Sequence, residues 1–145
     1  DHRDLHSFPT RRSSDLRYVN ILIKKQYAEN VPVITSDLSQ IQQVVLNLLN
    51  NAIDAIGSDG TITVGSRYLE DTDQVELWVA DTGKGIPEAE QSKIFEPFFT
   101  TKAVGKGTGL GLSISYSIIE KLGGKMRVQS KVGEGTMFTI LLPKN

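Results

Sequence analysis

The sequence predicts an α+β fold: a mixed β-sheet carrying helices on one face, in two layers. Three observations lead there. Apolar residues between Leu38 and Ile56 recur at steps of three and four, the period of an amphipathic helix. Stretches before and after that helix alternate apolar and polar residues, the period of half-buried strands. A glycine-rich stretch over 81–111 then leads into a second helix and a closing pair of strands. The predicted order is two strands, helix, two strands, loop, helix, two strands.

The first segment, "YVNILIKKQY" (18–27), reads as a strand, and "PVIT" (32–35) as a short second one. Asp37 suits the N-cap of the long helix, because its carboxylate can accept an orphan N–H of the first turn, and Gln40 stands where a capping-box partner would. Leu38, Ile41, Val44, Val45, Leu48, Leu49, Ala52, Ile53 and Ile56 form the apolar stripe. Gly57 ends the helix, and "SDG" (58–60) reads as a turn. "TITVGSRYL" (61–69) and "QVELWVA" (74–80) alternate as strands joined by the polar "EDTD". Residues 81–111 hold six of the 13 glycines and read as a long loop with a short helix near 88–94. A loop that long inside a domain is usually functional. A helix from about Thr108 to Leu122 stops at Gly123-Gly124, and "KMRVQSKV" and "GTMFTILLP" close the chain as a hairpin around "GEG".

A length of 145 residues suits one domain, and 39% hydrophobic residues suffice for one core. The net charge of −1 gives no broad basic field for nucleic acid or an anionic membrane. The absence of cysteine excludes disulfides, thiolate metal sites and cysteine nucleophiles.

Four clusters carry candidate chemistry. On the long helix, "NLLNNA" places Asn47 and Asn51 four residues apart, hence on one face, where amide oxygens can serve Mg²⁺ beside phosphates. Taken alone, the pair reads more readily as a solvated helix surface. Next, "DTGKGI" (81–86) follows a strand directly. An aspartate there can accept from an exocyclic amine such as that of adenine, and Gly83 and Gly85 would let a flat base approach the backbone. An ordinary Asp-Gly turn is the better reading of that cluster alone. Third, "GKGTGLGLSI" (105–114) runs alternating glycines into a helix start, which makes an anion site of backbone N–H groups. A flexible linker explains it poorly, since the intervening Thr108, Leu110 and Leu112 lead straight into a helix. Last, "GEGTMF" (133–138) is by itself a hairpin turn.

The order and spacing of these clusters resemble the ATP-binding catalytic domain of two-component sensor histidine kinases, in the superfamily that also holds gyrase, the heat-shock chaperone ATPases and the mismatch-repair ATPases. "QQVVLNLLNNAIDAI" looks like the N box, "DTGKGI" the G1 box, "FEPFFTTK" the F box, "GKGTGLGLSI" the G2 box and "GEGTMF" the last glycine box. "NAIDA" and "FFTTK" look most like kinases of the nitrogen-regulation and sporulation type. The resemblance covers residues 18–143 and implies the two-layer sandwich of that superfamily, with a glycine-rich ATP lid. It implies ATP and Mg²⁺, with Asn51 as the metal ligand and Asn47 facing the phosphates. Asp81 would take the adenine amine, with Gly83, Gly85 and Ile86 flooring the base pocket. Gly105, Gly107, Thr108, Gly109, Leu110 and Gly111 would wrap the triphosphate, Thr101 and Lys102 would reach it from the F box, with Lys102 at the γ-phosphate, and Thr136 would reach the base through water. Many relatives carry a basic residue where Asp54 stands, so that phosphate contact is absent. The implied partners are a dimerisation domain bearing the acceptor histidine and a response regulator. The whole protein would be a homodimer and this domain cytoplasmic, touching neither nucleic acid nor membrane.

Chaperone and mismatch-repair ATPases place a glutamate, a general base for water, where Asn47 stands. An amide cannot accept that proton. Asn47 therefore argues against a hydrolysing ATPase of the same fold. The intact glycine boxes argue against a non-catalytic nucleotide-binding module, and an anti-sigma-type serine kinase is usually shorter around the lid.

The opening "DHRDLHSFPTRRSSDL" (1–16) has no apolar period, contains Pro9 and is too short for a dimerisation domain. It resembles the translation of a common short-read sequencing adapter. It is therefore expected to be foreign to the natural protein and disordered, with 17–145 as the catalytic domain. On that reading His2 and His6 are not phosphate acceptors, and the true acceptor lies upstream.

Overall fold

A computed structural model describes residues 20–97, 99 and 111–144. Five strands form one sheet: β1 (Asn20–Tyr27), β2 (Asp59–Leu69), β3 (Gln74–Asp81), β4 (Lys125–Lys131) and β5 (Gly135–Pro143). Their order across the sheet is β1-β2-β3-β5-β4. The helices are α1 (Leu38–Ile56), the single-turn α2 (Glu88–Gln91) and α3 (Gly111–Lys121). β1 lies parallel to β2, because α1 carries the chain back over one sheet face between them; every other pair is antiparallel. The sheet is mixed, as expected.

Helix α1 forms where its period demands. Asp37 accepts from the Gln40 N–H at 3.2 Å, and the Gly57 N–H closes the far end on the Ile53 carbonyl. Val44, Leu48 and Ala52 are buried along its inner face. They meet Ile62 of β2, Val79 of β3, Phe138, Ile140 and Leu142 of β5, Met126 of β4 and Ile119 of α3 in one core.

Three expectations need correction. Residues 32–35 do not form a strand. The alternation is real, with Ile34 packed against the core and Val33 92% exposed. Pro32 has no N–H to give, however, and the segment ties to the sheet's end through one bond, Thr35 N–H to the Lys144 carbonyl at 3.2 Å. The short helix expected over 88–94 ends at Gln91 and continues as turns. In addition, β2 begins at Asp59, inside the turn expected over 58–60. The first expected segment of the second long helix, 108–110, lies outside the described residues.

Candidate nucleotide site

β3 and β5 are neighbours although α2, α3 and β4 separate them in sequence. That pairing sets Asp81 opposite Thr136 and so joins the second and fourth sequence clusters. The Asp81 carboxylate accepts from the Gly83 N–H at 2.8 Å. Burial pushes its pKa above the ordinary aspartate value, and the backbone N–H groups of Gly83 and Thr136 pull it partly back. Thr136 is buried at 6% exposure. A half-buried, acceptor-only carboxylate next to a buried hydroxyl suits recognition of a donor on a flat ring.

The glycines of this region have a reason the sequence did not reveal. A Cβ on Gly83 would stand 2.6 Å from the carbonyl of Ala55 on α1. On Gly85, at φ +80°, it would overlap the Lys131 carbonyl, and on Gly135, at φ +127°, the Asp81 carbonyl. These are approaches of backbone to backbone within the protein. Hydrogen bonds run alongside: Lys84 N–H to the Ala55 carbonyl at 3.1 Å, Gly133 N–H to the Lys84 carbonyl at 2.9 Å and Thr82 N–H to the Thr61 carbonyl at 3.1 Å. The loop after β3 is thereby fixed to α1, to β2 and to the β4–β5 turn.

Beyond it, the Ile86 N–H donates to Ser130 Oγ at 2.8 Å. Ser130 Oγ lies 3.0 Å from the Gly135 carbonyl and 2.7 Å from Thr136 Oγ1. Gln91 of α2 donates to the Ile86 carbonyl at 2.9 Å and to the Ser130 carbonyl at 3.1 Å. Sequence reasoning missed Ser130 and Gln91. One signal pointed to the first: Met126 and Val128 face the core, so strand parity turns Ser130 inward as a polar residue on an apolar face.

The asparagines occupy another region. Asn47 Oδ1 accepts from Gln43 at 3.1 Å, while its Nδ2 donates to Ser115 Oγ at 3.0 Å and to the Gly111 carbonyl at 3.3 Å. Asn47 is therefore a tie between α1 and α3, not a solvated surface residue. It satisfies Ser115, a hydroxyl with no exposure at all. Ser115 was also missed, although it interrupts the stripe Leu112, Ile119, Leu122 at helical spacing. Asn51 sits one turn further along α1 and is half-buried. Among the described residues no group of three His, Cys, Asp or Glu could cage a metal. Amide oxygens of this kind fit Mg²⁺, which keeps several waters and binds largely through a substrate's phosphates.

Phe95, which opens the F-box stretch, stacks on Tyr116 of α3 at 4.9 Å and meets Phe138 edge-on at 6.3 Å. Gly111 is a helical residue of α3, and a Cβ there would meet open space. Thr101, Lys102, Gly105, Gly107, Thr108, Gly109 and Leu110, with the lid they were assigned to, lie outside the described residues, as do residues 1–16. No helix among the described residues is long and apolar enough to cross a membrane.

Comparison with known proteins supports the fold and the family. Residues 36–145 match the family described as histidine kinase-, DNA gyrase B-, and HSP90-like ATPase. The chain is 44% identical to the sensor kinase CckA of Brucella abortus, over 86% of this chain and 15% of that protein. It is 45% identical to the sensor histidine kinase ZraS of Salmonella typhi, over 90% of this chain and 28% of that one. Sporulation kinase E of Bacillus subtilis is 40% identical over 86% of this chain and 16% of its own length. The chain thus spans between 15% and 28% of these curated relatives. Among solved structures, the catalytic domain of histidine kinase ThkA superposes with a TM-score of 0.74 at 39% identity, covering 86% of this chain and 79% of that one. Full-length ShkA in complex with AMPPNP gives 0.76 at 30% identity, covering 85% and 25%. The chain belongs to the histidine kinase-, DNA gyrase B- and HSP90-like ATPase family, and within it is an ATP-binding catalytic domain of the sensor histidine kinase type.

Proposed function

We propose that this domain binds Mg²⁺–ATP and donates the γ-phosphoryl group to a histidine on a dimerisation domain outside residues 17–145. The observation that carries the base site is the Asp81 carboxylate, half-buried beside Thr136 and held by the Gly83 N–H. Gly85 and Ile86 extend that wall. Asn51 would hold Mg²⁺ through its amide oxygen, supplying charge stabilisation to the phosphates. Lys102 and Thr101, with Gly105, Gly107, Thr108, Gly109, Leu110 and Gly111, are proposed to face the triphosphate.

Donation rather than hydrolysis is favoured by Asn47. Both ends of its amide are engaged, with Gln43 on one side and Gly111 and Ser115 on the other. Nothing in it can take a proton from water. Transfer to a histidine asks mainly for positioning and charge stabilisation, which such a site can give. One solved relative, ThkA, is in complex with its response regulator TrrA. By analogy a response regulator receives the phosphoryl group downstream, the whole protein is a homodimer, and this domain works in the cytoplasm. Residues 1–16 are proposed to be foreign adapter sequence.

The test is incubation with γ-labelled ATP and a matching dimerisation domain supplied in trans. The expected result is label on that domain's histidine, equally with the full chain and with one starting at Arg17. Release of inorganic phosphate without labelled histidine would favour the hydrolysing reading instead. Stable label on the full chain that disappears in a His2→Ala, His6→Ala double variant would overturn the adapter reading.

A further inference from the structure

We infer that Ser130 selects the nucleotide base by fixing which way the Thr136 hydroxyl points its proton. The inference rests on the reading of Asp81 and Thr136 as the base site.

The polarity follows from counting protons. Ser130 Oγ has three neighbours: the Ile86 N–H at 2.8 Å, the Gly135 carbonyl at 3.0 Å and Thr136 Oγ1 at 2.7 Å. A backbone N–H only donates and a carbonyl only accepts. Ser130 therefore accepts from Ile86 and gives its single proton to Gly135. The contact with Thr136 is then a hydrogen bond only if Thr136 is the donor. That leaves Thr136 Oγ1 with lone pairs and no proton to offer elsewhere. The arrangement is held in place, since Gln91 clamps both the Ile86 and the Ser130 carbonyls. The network is also partly shielded from water that could compete with it.

Asp81 stands opposite Thr136 in the ladder and, when ionised, is likewise an acceptor only. The base thus meets two acceptors side by side. A 6-amino group, or a water donating to both, satisfies them. A 6-oxo carbonyl confronts lone pairs at the same place, and a site built with one polarity rejects the reverse strongly. Ser130 touches no base on this account; it is a positioning residue, and Thr136 carries its effect.

The experiment measures affinities of the full chain for Mg²⁺–ATP and Mg²⁺–ITP, whose bases carry a 6-amino group beside a bare N1 and a 6-oxo group beside a protonated N1, respectively. The parent should prefer ATP. Ser130→Ala frees the Thr136 proton to point outward, and the ATP:ITP preference should fall about tenfold, the scale of one hydrogen bond of correct polarity. Thr136→Val removes the acceptor and should lower the preference as well. Adding Ser130→Ala to Thr136→Val should change the ratio no further. A merely structural role for Ser130 would weaken both nucleotides in equal proportion and leave the ratio at the parent's value, which overturns the inference while the ATP site stands. Should Ser130→Ala not fold, a Thr136→Val variant with the parent's ratio overturns it equally. A parent that binds ATP and ITP alike also overturns it, and a parent that binds neither removes the base site itself.

Discussion

The two ends of the candidate site are built by different means. Around Asp81 the chain is fixed by backbone: Gly83 against α1, Gly85 against β4 and Gly135 against β3, each too close for a side chain. Along α1 and α3 the work is done by side chains, Asn47 reaching across to Ser115 and to the Gly111 carbonyl. A wall made of backbone contacts is set when the sheet forms and has nothing to rearrange. A helix face made of amides can exchange its partners, which suits the phosphate and metal binding proposed for it. On the proposed function, shape selectivity belongs to the first end and charge handling to the second.

That contrast can be broken most sharply at the glycines. Gly135→Ala forces a Cβ onto the Asp81 carbonyl at an unfavourable φ and should cost about 3 kcal/mol or more. Gly111→Ala lies in a helix with open space around it and should gain a few tenths of a kcal/mol, up to about 1. Urea unfolding of the two variants checks both signs, and equal destabilisation would erase the distinction between the ends.

Next come the two amides. Asn47→Ala leaves the fully buried Ser115 hydroxyl without its amide partner, a cost of roughly 1–3 kcal/mol in the same assay. Asn51→Ala should leave stability close to the parent's while removing the Mg²⁺-dependent part of ATP affinity, about tenfold or more. Similar stability losses for both would mean that Asn51 is a structural residue too.

The smallest effect concerns pH. Burial raises the Asp81 pKa in the folded domain, so the folded state holds that proton more tightly than the unfolded chain does. The associated stability is fully present below the unfolded pKa and is lost as pH rises through the folded one. Asp81→Asn should therefore unfold at a slightly higher temperature than the parent at pH 7, with the gain shrinking towards acid. ATP binding follows the opposite sign. On the proposed reading it uses the ionised carboxylate, so affinity should decline as pH falls through the raised pKa, at higher pH than an ordinary aspartate would give. In Asp81→Asn that acid limb should vanish.

The unequal construction also explains what the sequence disclosed. Helix α1 was legible to the residue, because period, Asp37 and Gly57 are all local signals. Both hairpins were legible to within about two residues, since their strands alternate and their turns carry polar or glycine residues. The segment 32–35 misled, because alternation alone does not supply a ladder partner and Pro32 removes a donor. The order of the glycine clusters pointed to the candidate site, yet their physical reason was hidden. Gly83 answers to Ala55 and Gly135 to Asp81, neighbours that exist only once α1 packs and β5 pairs with β3. Ser130, Gln91 and Ser115 are common residues whose weight comes from their partners, so pattern alone gave them little notice.

The central claim is that the carboxylate at the end of β3 receives the base of ATP. Calorimetry of Mg²⁺–ATP with the parent chain and Asp81→Ala tests it most directly. The parent should bind, and the variant should lose at least about 2 kcal/mol, roughly thirtyfold, since the buried base amine is left without its acceptor. An Asp81→Ala chain that folds normally and binds ATP as tightly as the parent would contradict the claim and take Asp81 out of the site.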